Sequence, residues 1–284
     1  MTKVDDTEQL ELAISLPIMR PSVPEYPETF ALFPIFAPVA DRSKMDSDWQ
    51  KRGQFKYKFP WGELERHGPG LNIYDEDTLI ALFHLARQHK HEGSPGRFPI
   101  PMSGEATIVY SGVVSPWEVS QFLGRPDSGA ALRETWDSIE RLSLTTLTIT
   151  TTEGFHTNIK LFEHRAANFN SNSAKILVQF PPAIVSLLLK VVNIDIPLRM
   201  SLSVTGKAVY RHLIALGAGV HQIAIGELME RIQFTGRVGD FKDRMMGKPG
   251  RPSILEQMSV GGVVTKYELT GRGKKAIFSI GVKI

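Results

Sequence analysis

The chain contains no cysteine. That excludes disulfides, cysteine-ligated zinc and thiol nucleophiles, and it suits a reducing compartment. Long apolar runs are also missing. The densest patch, Leu187, Leu188, Leu189, Val191 and Val192, is interrupted by Lys190, well short of the ~20 residues a membrane-spanning helix needs. The first residues carry Asp5, Asp6 and Glu8, where a secretory signal is basic and then apolar. Export and a membrane partner are therefore not expected, and the protein is read as cytoplasmic. Catalytic signatures are lacking too. Thr205-Gly206-Lys207 is followed by Ala208, and Gly247-Lys248 by Pro249, so neither completes a Gly-x4-Gly-Lys-Ser/Thr phosphate loop. There is no Gly-x-Ser-x-Gly elbow and no dinucleotide fingerprint. His84 lies beside an apolar stripe, His89 and His91 at a helix end, and no carboxylate or cysteine spacing makes them a metal site. No tyrosine joins a histidine pair in a plausible nicking or priming site. The chain reads as a non-enzyme needing no cofactor.

What is present is uneven charge. The whole chain carries only +3. Residues 1–30 hold Lys3 and Arg20 against Asp5, Asp6, Glu8, Glu11, Glu25 and Glu28, a net −4, whereas residues 201–284 carry +7. A basic C-terminal region points to a polyanionic partner.

Residues 1–54 read as an acidic, proline-rich, partly disordered arm: Pro17, Pro21, Pro24, Pro27, Pro34 and Pro38 preclude a long helix. The first clear helix is Asp75–Lys90. Asp75 is its expected cap, Glu76 and Asp77 suit the positive end of its dipole, and Leu79, Leu82, Phe83 and Ala86 form its apolar stripe. A Pro/Gly-rich loop follows over Ser94–Gly104, then a short strand at Ala106–Tyr110. Ser115-Pro116-Trp117-Glu118 has the form of a capping box with proline at the first helical position. A second helix over Ser128–Ser143 is striped by Leu132, Trp136, Ile139 and Leu142. Strand patterning over Leu144–Thr152 turns at Glu153-Gly154 and returns over Phe155–Phe162. Helix, strand, two close helices and a hairpin is the order of a winged helix.

The order recurs. Lys175–Phe180 reads as a strand, Pro181–Lys190 and Thr205–Leu216 as helices, and Ile223–Ile225 as a short strand. Glu227–Gln233, Asp240–Met246 and Pro252–Met258 read as helices, and Val263–Leu269 and Ala276–Val282 as strands around the basic tip Gly271-Arg272-Gly273-Lys274-Lys275. The fold class is therefore α+β: two tandem winged-helix domains, 55–170 and a basic 171–284, behind the arm.

The expected DNA-contacting residues are Arg237, Lys242, Arg244, Lys248 and Arg251 around the recognition element, with Ser253 and Gln257 placed for base contacts. Arg272, Lys274 and Lys275 lie on the wing. Lysine and arginine neutralise phosphates, and polar side chains on a helix read base edges. The first domain holds fewer cations, Arg125, Arg133 and Arg141; Arg133 and Arg141 join the expected DNA contacts. Lys248-Pro249-Gly250-Arg251-Pro252 resembles the core of a minor-groove AT-hook, but one copy reads better as a helix-breaking loop.

Three stretches resemble the replication initiators of iteron-containing plasmids, the Rep/TrfA type: Tyr74–Arg87; Ile176–Leu189 with Phe180-Pro181-Pro182, then Leu202–Leu213; and Glu227-Leu228, Asp240-Phe241-Lys242, Ile254-Leu255-Glu256 and the final strand–basic turn–strand. Gly247-Lys248-Pro249-Gly250 departs from the family by interrupting its recognition helix. The resemblance implies a protein that binds direct repeats of double-stranded origin DNA, helps melt adjacent A·T-rich DNA and recruits the host initiator and replicative helicase. It also implies a dimer that represses its own gene. Gln9, Leu10, Leu12 and Ile14 resemble the peptide by which replication proteins dock on the sliding clamp. A winged-helix transcriptional repressor is the competing reading.

Overall fold

The structure, a computed structural model, describes residues 23–33, 35–39, 55–59, 62–88, 97–102, 105–154, 156–167, 174–181, 183–184, 190–248, 250 and 252–283. Strands and helices are numbered separately, each in chain order. The N-terminal half contains β1 (Glu25–Pro27), α1 (Glu28–Leu32), β2 (Phe55–Phe59), β3 (Gly62–His67), α2 (Ile73–Gln88), β4 (Arg97–Met102), β5 (Glu105–Val114), α3 (Pro116–Phe122), α4 (Gly129–Ser143), β6 (Thr146–Thr151), β7 (His156–Lys160), β8 (Glu163–Ala167) and β9 (Lys175–Phe180). Then come β10 (Val191–Asn193), α5 (Ile196–Ser201), α6 (Val204–Leu216), β11 (Gly219–Ala224), α7 (Ile225–Arg231), α8 (Val238–Met246), α9 (Ile254–Val260), β12 (Val264–Thr270), a 3₁₀ turn (Gly273–Lys275) and β13 (Ile277–Val282). The class is mixed α and β.

Helix α2 organises the N-terminal half. Leu79, Leu82, Phe83 and Ala86 are all buried, and so is every other residue from Asp75 to Ala86, so the helix is covered on all sides rather than along the apolar stripe alone. The helix starts before Asp75 because Asn72 caps it. Asn72 Oδ1 accepts from the amides of Tyr74 (3.0 Å) and Asp75 (3.1 Å), and Asp75 Oδ2 accepts from the Asn72 amide (2.9 Å). Asp75 thus closes a reciprocal cap from the third helical position. Strand β5 lies against α2: a Cβ at Gly112 would stand 2.5 Å from Ala86 Cα, so this approach requires glycine.

β5 belongs to the antiparallel sheet β4-β5-β9-β8. The stretch expected as a loop contains β4, which accommodates Pro99 and Pro101 at alternate positions because it is an edge strand. Strand β9, expected to open the C-terminal half, pairs with β5 and β8. The hairpin β6–β7 lies in a different sheet, β2-β3-β6-β7. In the N-terminal half, therefore, the strand before the helix pair and the hairpin after it do not share a sheet.

Part of the expected arm is folded. β1 pairs with β10, α1 packs on α6, and Tyr26, Phe30, Phe33, Ile35 and Phe36 are buried. The prolines do limit α1 to five residues, but the aromatic side chains between them supply core.

In the C-terminal half, Ser203 caps α6, accepting from the Gly206 amide at 3.2 Å, and the sheet order is β11-β13-β12. The helix expected over Pro181–Lys190 falls largely outside the described residues. The two halves meet where α2 packs on α6. Glu76 and Asp77, expected to serve the helix dipole, are fully buried here against cations of the C-terminal half. Arg199 reaches Glu76 Oε2 at 2.9 Å and Asp77 Oδ1 at 2.7 Å, Lys207 reaches Asp77 Oδ2 at 2.5 Å, and Arg211 reaches Glu76 Oε2 at 3.2 Å. Burial opposes the charge on Arg199, and the two carboxylates override it, so its pKa lies above the ordinary guanidinium value. For Lys207 burial prevails over Asp77, and its pKa is lowered.

Candidate nucleic-acid interface

The interface is built on the segment α6, β11, α7, α8, α9, β12, turn, β13. Strand β11 runs out along β13 from Gly219↔Val282 to Ala224↔Ile277, and the chain then turns into α7, whose first amide, Ile225 N, donates to Ala276 O at 2.8 Å. That fixes the root of the hairpin tip beside α7. The basic turn Gly273–Lys275 packs against both α7 and α8. Gly226 permits this contact, since a Cβ there would meet Lys274 Cβ and its carbonyl oxygen at 3.3 Å.

Each expected contact residue has a definite place. Arg237, at the N-cap of α8, and Lys242, on its outer face, are exposed. Arg272, Lys274 and Lys275 are exposed on the adjoining turn. Lys248 is exposed and paired with Asp243 Oδ2 at 2.5 Å. Arg244 is turned inward: its Nη1 donates to Thr205 Oγ1 at 2.9 Å and its guanidinium lies over the Phe234 ring, 5.3 Å from the centroid. It therefore braces α8 against α6.

Ser253 does not reach the surface. It is buried at 2% exposure, donates to Met245 O at 2.5 Å and accepts from the Glu256 amide at 3.1 Å. It caps α9, and its hydroxyl is consumed by that role. Gln257 is half-buried, with Nε2 donating to Ser253 O at 3.2 Å. Arg251 lies outside the described residues. The exposed positions of α9, Glu256 and Val260, carry no cation, so the basic surface sits on α8 and the turn. Lys266 is exposed on β12 at the end remote from the turn, opposite Gly281.

In the N-terminal half, Arg141 is drawn inward. Its Nε and Nη2 donate to Asp75 Oδ1 at 3.2 and 2.8 Å, beside Ser138 Oγ at 2.6 Å. Arg125 donates to Thr135 Oγ1 at 2.7 Å and to Tyr74 O at 3.2 Å. Arg133 is exposed on α4, but Glu134, Asp137 and Glu140 share that exposed surface. The outer face of α4 is thus predominantly acidic, and it repels phosphates more than it attracts them.

Among the described residues no group of three or more His, Asp or Glu side chains is placed to hold a metal. No helix among them is long and apolar enough to cross a membrane. The peptide Gln9, Leu10, Leu12 and Ile14 lies outside the described residues.

This architecture has a counterpart among solved structures. The crystal structure of the selenomethionine derivative of domains 2 and 3 of RctB superposes with a TM-score of 0.60 at 15% identity, covering 91% of this chain and 99% of that one. A second crystal structure of the same two domains gives a TM-score of 0.47 at 12% identity, covering 81% and 91%. The first likeness establishes a shared fold across most of the chain. No protein-family profile matches, and no curated protein matches by sequence.

Proposed function

We propose that the chain is a plasmid replication initiator that binds repeated double-stranded origin DNA sequence-specifically, helps open the origin and recruits host replication proteins. The observation that carries the reading is the set of exposed cations, Arg237 and Lys242 on α8 with Arg272, Lys274 and Lys275 on the adjoining turn. Cations on a helix and a neighbouring hairpin tip are the means by which a winged helix engages a duplex. On this reading α8 faces the major groove, β12–β13 is the wing, and the C-terminal half is the winged helix. The fold shared with domains 2 and 3 of RctB, a replication initiator, supports the same role. The acidic face of α4 suits contact with protein, either a second copy or a host factor, better than contact with DNA.

Footprinting of the protein on its own replicon across a salt series tests this. Regular protected repeats beside an A·T-rich stretch that becomes reactive to a single-strand probe are expected. Protection of only an inverted repeat at a promoter, without opening, assigns a repressor instead. Two kinds of variant separate affinity from readout. Arg272→Ala, Lys274→Ala and Lys275→Ala combined should weaken all sequences alike and flatten the salt dependence, by about 0.9 in log–log slope for each phosphate no longer neutralised. Arg237→Ala should instead relax preference for the cognate site, by about 1–3 kcal/mol if it makes a bidentate base contact. Identical effects of both on cognate and scrambled DNA overturn the assignment.

A further inference from the structure

Strand β11 leaves one edge of the C-terminal sheet open. In the order β11-β13-β12 it is paired on one side only. Its register runs unbroken from Gly219↔Val282 to Ala224↔Ile277, and beyond it Ile225 N donates to Ala276 O at 2.8 Å. In an antiparallel ladder the amides and carbonyls of alternate residues point to opposite sides. His221, Ile223 and Ile225 therefore bond inward to β13, whereas Val220, Gln222 and Ala224 turn their N–H and C=O groups outward. Among the described residues no hydrogen bond reaches these outward groups. Val220 and Gln222 are exposed, so the edge is open to another chain.

The other edges are guarded. β12 carries Lys266 and Glu268 and a register shift between Val264 and Lys266. Lys58 lies on β2, Lys160 on β7, Arg165 on β8 and Pro99 on β4. β1 and β10 are only three residues long. Charges, prolines, bulges and short length all keep an edge from pairing with another chain. β11 is six residues long, contains no Lys, Arg, Asp, Glu or Pro, and has no register shift.

We propose that β11 pairs antiparallel with β11 of a second copy of this chain, centred on Gln222. This register sets Gln222 opposite Gln222 and Val220 opposite Ala224 of the second copy. Every outward N–H and C=O of Val220, Gln222 and Ala224 then has a partner, whereas a shift by two residues leaves one residue of each strand unmatched. The edge is thus its own complement, as a contact about a two-fold axis requires. The side chains agree. Those of Val220, Gln222 and Ala224 share the solvent face of the sheet, and none is charged, so no like charges meet at the axis. Val220, 59% exposed in the single chain, comes beside the small Ala224 of the second copy, with Ile277 on the adjoining strand behind it. The joined sheet runs β12-β13-β11-β11-β13-β12. Each basic turn adjoins the Ala224 end of its own β11, so the two turns lie at opposite ends of the strand pair, about 20 Å apart along it. What that separation means for DNA rests on the proposed function, whereas the pairing itself does not.

Sedimentation equilibrium of the full chain, without DNA, tests the pairing apart from the DNA reading. A reversible dimer in the micromolar range is expected, because a single strand pair buries less than about 1,200 Å². Gln222→Pro removes the central N–H of each copy. It spares the bonds from β11 to β13, because the Gln222 amide points outward, and it should weaken the dimer by about tenfold or more. Gln222→Lys and Gln222→Glu each place like charges opposite one another and should weaken it by about two- to fivefold. An equal mixture of these two should associate more tightly than either alone. Circular dichroism shows whether each variant is folded; should Gln222→Pro fail to fold, the charge variants and their mixture carry the test. A parent that stays monomeric throughout the micromolar range, a dimer indifferent to folded Gln222→Pro, or a mixture no tighter than its components overturns the proposal.

Discussion

Two residues carry conformational or protonation cost that substitution can relieve. Gln233 is a non-glycine residue with φ +59°, placed just after α7. There its amide donates to Glu230 O at 3.0 Å and the Phe234 amide to Met229 O at 2.8 Å, the two bonds of a Schellman ending that favours glycine at this position. Gln233→Gly is therefore expected to stabilise the protein by up to about 1 kcal/mol, read as a higher midpoint in urea with an unchanged slope. A lower midpoint would mean that the glutamine side chain contributes more than its backbone costs. His212 is 1% exposed on α6, and burial, assisted by Arg231, Arg211 and His221, lowers its pKa to about 3. It is neutral when folded and protonates when unfolded. Its contribution to stability is thus complete above the unfolded value near 6.5 and is lost as pH falls from there toward 3. The slope attributable to it is at most about 1.4 kcal/mol per pH unit. His212→Leu should flatten the stability profile across that window relative to the parent, and parallel profiles would show that the ring is not buried neutral.

At the scale of elements, local chemistry was readable and pairing was not. Ser115 accepts from the Glu118 amide at 3.1 Å while Glu118 Oε2 accepts from the Ser115 amide at 2.7 Å, the capping box that the tetrapeptide spells out. The spacing of α2 likewise marks a helix, but not its burial on every side, which comes from distant partners such as Arg199 and Arg211. Strand partners depend on residues far apart in sequence, and so β9 joins β5, and β3 joins β6, without a local signal. The candidate interface divides the same way. Composition located the cations of α8 and the turn, but nothing local distinguishes exposed Lys242 from inward Arg244, or a base-reading serine from a capping one. Ser253 makes that distinction testable. Ser253→Ala removes the α9 cap and leaves Met245 O without its donor, at a cost of about 1–3 kcal/mol. Where the variant is still folded, its relative preference among DNA sequences should match the parent's. A changed preference would return Ser253 to the DNA-reading surface.

At the scale of the molecule, the charges hidden between α2, α5 and α6 join the halves. Glu76 and Asp77 are 0% exposed, and Arg199 answers both across more than a hundred residues of chain. A buried ion pair of this kind adds little over a well-packed apolar contact, but removing one partner strands the others without water. Arg199→Met should therefore cost about 3–5 kcal/mol, more than a surface ion pair of the Lys58–Glu63 type, whose loss costs about 0–1 kcal/mol. The larger consequence is for cooperativity. Trp117 and Trp136 lie on α3 and α4, so with Trp49 and Trp61 replaced by phenylalanine the fluorescence reports on the N-terminal half, whereas circular dichroism reports on both. If the buried charges weld the halves, the parent unfolds in urea with the two signals superimposed. In Arg199→Met the signals should separate, each half unfolding at its own midpoint. Superimposed transitions in the variant would mean that the apolar contact of α1 and α2 with α6 couples the halves by itself, and that the ionic cluster orients them without holding them together.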